Sequence, residues 1–322
     1  MPKKPQQILK LETDLGFEIK ESKNLYQKTG YMLDENQEVI GLNFSRCCTH
    51  SLSFLKDLPQ LKHLNLSWYR PKIQDISPLR DLHNLEYLNL HLNQVQDISP
   101  IQDLGNLKSL ILDINQIKDI SFLKNLHNLE NLDLGGNPIE DYSVLKGLNK
   151  IETLGLLSNK ISQDYSFLQN MPNLHTLISP GSKIEDISFL KDLKNLQNLN
   201  LASNLIQDYS NIECLKNLKK LSLYSSQIED ISFLKDLKDL TTLILPHNQI
   251  KDISPLKNLH HLGMLLLDDN KIQEVTLSFL DNLSKLTNLN LKDNPIKNIP
   301  KQIFKRVNCI EPLRNYVAQN LL

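Results

Sequence analysis

The feature that most constrains this chain is a pattern that returns every 22 residues. From Val39 onward the sequence repeats LxxLxLxxNxI. The repeats begin at Val39, Leu61, Leu85, Leu107, Leu129, Ile151, Leu174, Leu196, Leu218, Leu240, Leu262 and Leu286. Eight of the eleven spacings are 22; the exceptions are 24 (Leu61 to Leu85), 23 (Ile151 to Leu174) and 24 (Leu262 to Leu286). A short unit that recurs in this way cannot bury its own apolar face, so copies must stack. The chain is therefore read as one α/β solenoid, although 322 residues would otherwise suggest two domains.

The residue types inside a repeat set its local structure. In Leu107-x-x-Leu110-x-Leu112 the apolar period becomes two, which is a short strand with one buried face. Asn115 follows where the chain turns, and its amide can satisfy backbone groups that the turn leaves unpaired. Eight repeats keep this Asn; Ser182 and Ser226 are weaker substitutes, and Cys47 fills the place in the first repeat. The second half of each repeat reads D-I-S-x-L, as in Asp119-Ile120-Ser121-Phe122-Leu123. Its Ser is expected to cap a short helical turn, with Pro78, Pro100 and Pro255 at the first helical position. The expected architecture is a parallel concave sheet with short helical or 3-10 turns on the convex side. Three segments follow: an N-terminal cap of helix plus hairpin over 1–38, twelve strand units over 39–304, and a C-terminal cap helix over 305–322.

Composition then narrows the function. Lys plus Arg is 36 and Asp plus Glu is 37, a net charge of -1, which gives no footprint for nucleic acid or an anionic membrane. No apolar run approaches the roughly 18 residues that span a bilayer. Met1-Pro2-Lys3-Lys4-Pro5 is basic and no apolar stretch follows it, so a secretory signal is not expected in this segment. Cys47, Cys48, Cys214 and Cys309 form no CxxC pair or disulfide framework, which suits a reducing, cytoplasmic setting. A monomer is expected.

Catalytic constellations are missing. There is no G-x-x-x-x-G-K-[ST] and no H-E-x-x-H. His260 and His261 are adjacent and do not face one metal on a regular element. Asp268, Asp269 and Asp293 read as a solvated polar surface. The chain is expected to be non-catalytic, with no cofactor and no metal.

What remains is the sheet surface. The third, fifth and seventh positions of each repeat point away from the core, and the eighth lies at the strand edge. By that rule Ile244 and Leu266 are exposed, and the candidate partner-binding residues are Trp68, Tyr69, Arg70, Tyr87, His91, Ile111, Asp113, Tyr224, His247 and Met264. Trp68, the only Trp, stands beside the insertion at Tyr69-Arg70-Pro71, where the Asn turn is lost. It either meets a partner, as exposed aromatics on a strand face do, or packs on the N-terminal cap.

The 22-residue D-I-S-x-L type resembles the leucine-rich repeats of the internalins and of a regulatory subunit of the type-one Ser/Thr phosphatase. The resemblance implies a leucine-rich-repeat horseshoe. The flanks, Glu12-Thr13-Asp14-Leu15-Gly16 through Gly30-Tyr31-Met32-Leu33-Asp34 and Val39-Ile40-Gly41-Leu42, with the exit Asn298-Ile299-Pro300-Lys301-Gln302-Ile303, resemble the N-terminal repeat region of bacterial Roco proteins. This chain has no phosphate-binding loop, so no GTPase activity is carried over. The resemblances imply a protein-interaction scaffold that binds a protein or peptide partner on its concave face, and the flanks imply the sensor or regulatory region of a Roco-like signalling protein. The alternative is a surface-exposed or secreted adhesion or host-interaction protein of the internalin sort.

Overall fold

The computed structural model describes residues 4–22, 29–47, 51–159 and 164–297. The C-terminal cap helix expected over 305–322, the exit segment from Asn298, and Cys48 and Cys309 lie outside the described residues. The chain divides into two compact units, Met1–Ser162 and Gln163–Leu322.

In the first unit, helix α1 (Gln6–Leu15) buries Ile8 and Leu11 and ends at Gly16, whose φ of 73° closes it. Strand β1 (Gly30–Leu33) pairs antiparallel with β2 (Val39–Asn43). Parallel strands follow in chain order: β3 (His63–Asn65), β4 (Tyr87–Asn89), β5 (Ser109–Ile111), β6 (Asn131–Asp133) and β7 (Thr153–Gly155). The second unit holds β8 (Thr176–Ile178), β9 (Asn198–Asn200), β10 (Lys220–Ser222), β11 (Thr242–Ile244), β12 (Met264–Leu266) and β13 (Asn288–Asn290), again parallel and in order. This is the leucine-rich-repeat solenoid, with one strand for each of the twelve repeats and a hairpin strand before them. The fourth-position leucines, Leu64 to Leu289, are paired in register within each unit and buried. Each such side chain contributes on the order of 1.5–3 kcal/mol of gross burial energy.

Between strands run 3-10 turns such as Ser121–Asn125 and Ser254–Asn258. The Ser is not the cap expected from the sequence. It is the first residue of the turn, and the preceding Asp does the capping: Ser121 N–H donates to Asp119 Oδ1 at 2.8 Å, and Ser99 Oγ donates to Asp97 Oδ2 at 2.9 Å. The Asp carboxylate lies two residues upstream, the offset at which an Asx turn forms. Where the last repeat spacing lengthens to 24, the extra residues allow a true helix, α2 (Leu277–Asn282), capped by Thr276.

The turn after each strand has one conformation throughout. The eighth position of all twelve repeats is left-handed: Arg46, Trp68, Leu92, Ile114, Gly136, Ser158, Gly181, Ser203, Ser225, His247, Asp269 and Asp293 have φ between 52° and 65°. An L-residue there costs roughly 1–2 kcal/mol. The next residue is the repeat Asn, which offsets that cost by stitching neighbouring repeats. Asn115 Nδ2 donates to Leu112 O at 2.9 Å in its own repeat and to Leu90 O at 3.0 Å in the preceding one, while its Oδ1 accepts Val95 N–H at 3.0 Å. Asn93, Asn137, Asn248 and Asn270 repeat the arrangement. Where Ser182 and Ser226 replace the Asn, the following Lys183 and Gln227 also turn left-handed.

Candidate interaction surface

The left-handed row sets what the first unit shows to solvent. A left-handed turn throws its side chain outward at the strand edge. In the first unit three consecutive members of the row are large and apolar: Trp68 is 40 % exposed, Ile114 38 %, and Leu92 half-buried between them. Ile114 is β-branched, the type least suited to positive φ. Gly136 follows in the row, and a Cβ there would press on Ile114 Cγ1 at 3.2 Å, so glycine leaves room for the isoleucine.

Trp68 stands at the edge of an open concavity of about 900 Å³, lined by Phe17, Glu18 and Lys20 from the N-terminal segment, by Arg46, and by Tyr87 and His91 from the strand side. The Trp68 and His91 rings lie 6.1 Å apart, and Tyr87 lies 6.1 Å from His63. Arg46 Cζ is 5.4 Å and Lys72 Nζ 5.7 Å from the Trp68 ring centre, within cation–π reach. Lys72 Nζ also donates to Leu92 O. Burial, and then the Arg70 charge, lower the Lys72 pKa from its usual value. Trp68 is thus neither buried on the cap nor isolated; it shares a half-open bay with the cap.

One repeat further on, two carboxylates lie close together on the strand face. His91 Nδ1 and Asp113 Oδ2 are 2.7 Å apart, and Asp113 is buried with its other oxygen, Oδ1, without a hydrogen-bond partner among the described residues. Asp133 on β6 accepts Gly135 N–H at 3.0 Å and lies over Gly155, where a Cβ would overlap its carboxylate. Burial, with the Asp113 charge adding to it, pushes the Asp133 carboxyl up to about 6.

The structure sorts the residues expected at the site. Trp68, Tyr87 and His91 come together around the concavity, and Arg70 is exposed nearby. Ile111 is half-buried on β5, between Asn89 and Asp133. Tyr69 departs from expectation: it is 2 % exposed, because the insertion turns its ring into the core and leaves Arg70 outside. Asp113 departs too, since it is held inside by His91. Tyr224, His247 and Met264 belong to the second unit. There Tyr224 and Met264 are half-buried, and His247 Nδ1 is 2.7 Å from Asp269 Oδ2. Ile244 and Leu266, expected outside, are 2 % and 0 % exposed. They are register partners on adjacent strands, and at a strand spacing of about 4.8 Å such neighbours cover one another.

The sequence reading missed Arg46 and Lys72. Arg46 shares the eighth position with Trp68, one repeat earlier, so the register itself carried the signal. Lys72 had none, because it reaches Trp68 through the insertion. His260 and His261 take separate partners, Asn282 O and Asp239. Among the described residues no three His, Cys, Asp or Glu converge as metal ligands, and no helix is long and apolar enough to cross a membrane.

Comparison with known proteins places this geometry. The family described as leucine-rich repeats (two copies) matches residues 105–147 and 194–236. An internalin (inlF) from Listeria monocytogenes is similar at 28 % identity and TM-score 0.69, over 85 % of this chain and 89 % of that one. A leucine-rich-repeat protein from Leptospira interrogans, LIC12759, is similar in fold at 22 % identity and TM-score 0.63, over 96 % and 99 %. TLR13, from its complex with ssRNA13, is similar at 25 % identity and TM-score 0.62, over 83 % of this chain and 42 % of its own. No curated protein matches by sequence. The internalin half of the expected resemblance is supported, and the Roco half is without support.

Proposed function

The chain is a leucine-rich-repeat protein that resembles the internalins, and on that premise we propose that its first unit holds a protein or peptide partner on the strand face around Trp68. The observation that carries this reading is the row Trp68, Leu92 and Ile114. These bulky side chains sit on left-handed backbone that costs stability, and two of them are more than a third exposed. Every repeat turns left-handed at this position; what sets these three apart is that large apolar side chains occupy it in consecutive repeats and stay partly exposed, the mark of an interaction surface. An exposed Trp with a half-buried Tyr and an Arg close by is also the composition of binding hot spots. A cytoplasmic partner is the first choice; the similarity to a Listeria internalin favours a surface-exposed role as the second reading.

The test is affinity capture with the wild type and with Trp68→Ala/Tyr87→Ala/His91→Ala, followed by a titration of the partner so identified. Hot-spot truncation costs about 2 kcal/mol or more, so affinity falls at least about 30-fold. Equal affinity for both proteins rejects the reading.

A further inference from the structure

We propose that the Trp68 concavity receives an acidic peptide segment, with its carboxylates on Arg46, Arg70 and Lys72 and an apolar side chain against the exposed part of the Trp68 ring. The inference rests on the proposed function and names the chemistry of the partner.

Charge complementarity is the argument. The chain is nearly neutral, with 36 basic and 37 acidic residues. Against that background Arg46 and Lys72 both lie within cation–π reach of one aromatic ring, exposed Arg70 adds its charge beside Lys72, and none of the three is in an ion pair with a carboxylate among the described residues. The flanking stretches 23–28 (KNLYQK) and 48–50 (CTH) contain no Asp or Glu to supply one. The lining carboxylate, Glu18, is 3.6 Å from Lys4, and Lys20 adds a further cation. Asp113 faces His91, which stands between it and the concavity. Burial, and then the Arg70 charge, lower the Lys72 pKa, as expected of an ammonium partly desolvated beside another cation. A carboxylate arriving there gains charge-assisted hydrogen bonds in a partly water-excluded bay. The concavity is compact, whereas nucleic acid is met by an extended basic stripe on a basic chain. The aromatic floor gives an apolar side chain flanking the carboxylates a place to lie.

Trp68 is the chain's only tryptophan, so its fluorescence reports on this site alone. The whole chain is titrated with a twelve-residue peptide built from Glu-Glu-Leu repeats. The same peptide with Gln for Glu, the same with Lys for Glu, and a single-stranded dodecanucleotide are the comparisons. The expected result is a saturable change with the Glu peptide alone, weakening steeply as salt is added. Arg46→Gln/Lys72→Gln weakens it by about tenfold or more. Lys219→Gln/Lys220→Gln, on the second unit, leaves it unchanged. Far-UV circular dichroism of each variant must match the wild type; if the first pair fails to fold, Arg70→Gln alone is used and a weakening of about threefold or more is required. Equal response to the Glu and Gln peptides, no response to either, or tighter binding of the oligonucleotide overturns the inference. Should that happen while the Trp68/Tyr87/His91 variant still loses its captured partner, the interaction reading stands and only the acidic chemistry falls.

Discussion

Replacing Asn115 with Ala isolates the device that holds neighbouring repeats together. The amide serves four backbone groups, and their alternatives differ. Leu112 O keeps a donor from Asn137 at 3.0 Å, and Leu90 O keeps one from Asn93 at 2.9 Å. Asp113 O loses only a long contact of 3.3 Å. Val95 N–H has no substitute: Asn115 Oδ1 is its acceptor, and Val95 is fully buried. A buried donor left unpaired costs about 1–3 kcal/mol, and each replaceable hydrogen bond contributes at the low end of about 0.5–1.5 kcal/mol. The expected loss is therefore about 2–4 kcal/mol. Asn115→Asp retains the acceptor for Val95 but sets a carboxylate against two carbonyls, so it costs at least as much. Urea denaturation followed by circular dichroism, with Trp68 fluorescence as a second probe, measures the loss. Coincidence of the two probes establishes that a single free energy applies. A loss below about 1 kcal/mol for Asn115→Ala would falsify the claim that the Asn amides lock adjacent repeats.

Three other outcomes follow from the strand face. Gly155→Ala forces the Asp133 carboxylate off the Gly135 N–H, at about 1–3 kcal/mol, whereas in a chain that already carries Asp133→Ala, with no carboxylate to displace, the same substitution should cost less than about 0.5 kcal/mol; equal costs in the two backgrounds would mean the alanine offends something else. Asp133 has its folded pKa raised to about 6, above the unfolded value near 3.9, so its contribution is fully present below pH ~4 and lost as pH rises through about 6. Stability of the wild type should fall across that window relative to Asp133→Asn, with parallel curves refuting the shift; a carbon-13 titration of the carboxyl, read alongside Asp113 and His91, locates the midpoint. Ile114→Gly relieves left-handed strain of roughly 1–2 kcal/mol while losing a partly exposed side chain, so it should cost less than about 1 kcal/mol, and a cost near the 2–5 kcal/mol of a buried aliphatic truncation would show the side chain to be structural.

Much of this protein is legible in its sequence because the repeat multiplies weak signals. One LxxLxL means little, but twelve in register fix strands, buried face and turn, and the Asn kept at the ninth position of eight repeats marks where the backbone needs a side-chain partner. The reading fails where the period breaks or where a contact crosses repeats. Tyr69 looks like surface because it sits in an insertion, yet the extra residues are what let its ring turn inward. Ile244 and Leu266 follow the alternation rule for an outward position, but two large neighbours in register bury each other, which alternation along one strand does not see. Capping went to Asp rather than Ser because both residue types cap turns, and only the residue offset decides. The pairing of Trp68 with Arg46 was available from position-by-position alignment of the repeats; the approach of Lys72 depends on the path of the insertion.

The central claim, that partners are held on the strand face of the first unit, is most directly tested by photocrosslinking at two places in that unit. A photoreactive phenylalanine replaces Tyr87 on β4 in one protein and Lys124, exposed on the 3-10 turn Ser121–Asn125, in another. The account predicts that the captured partner crosslinks at position 87 and not at 124. Crosslinking at 124 with none at 87 would contradict it.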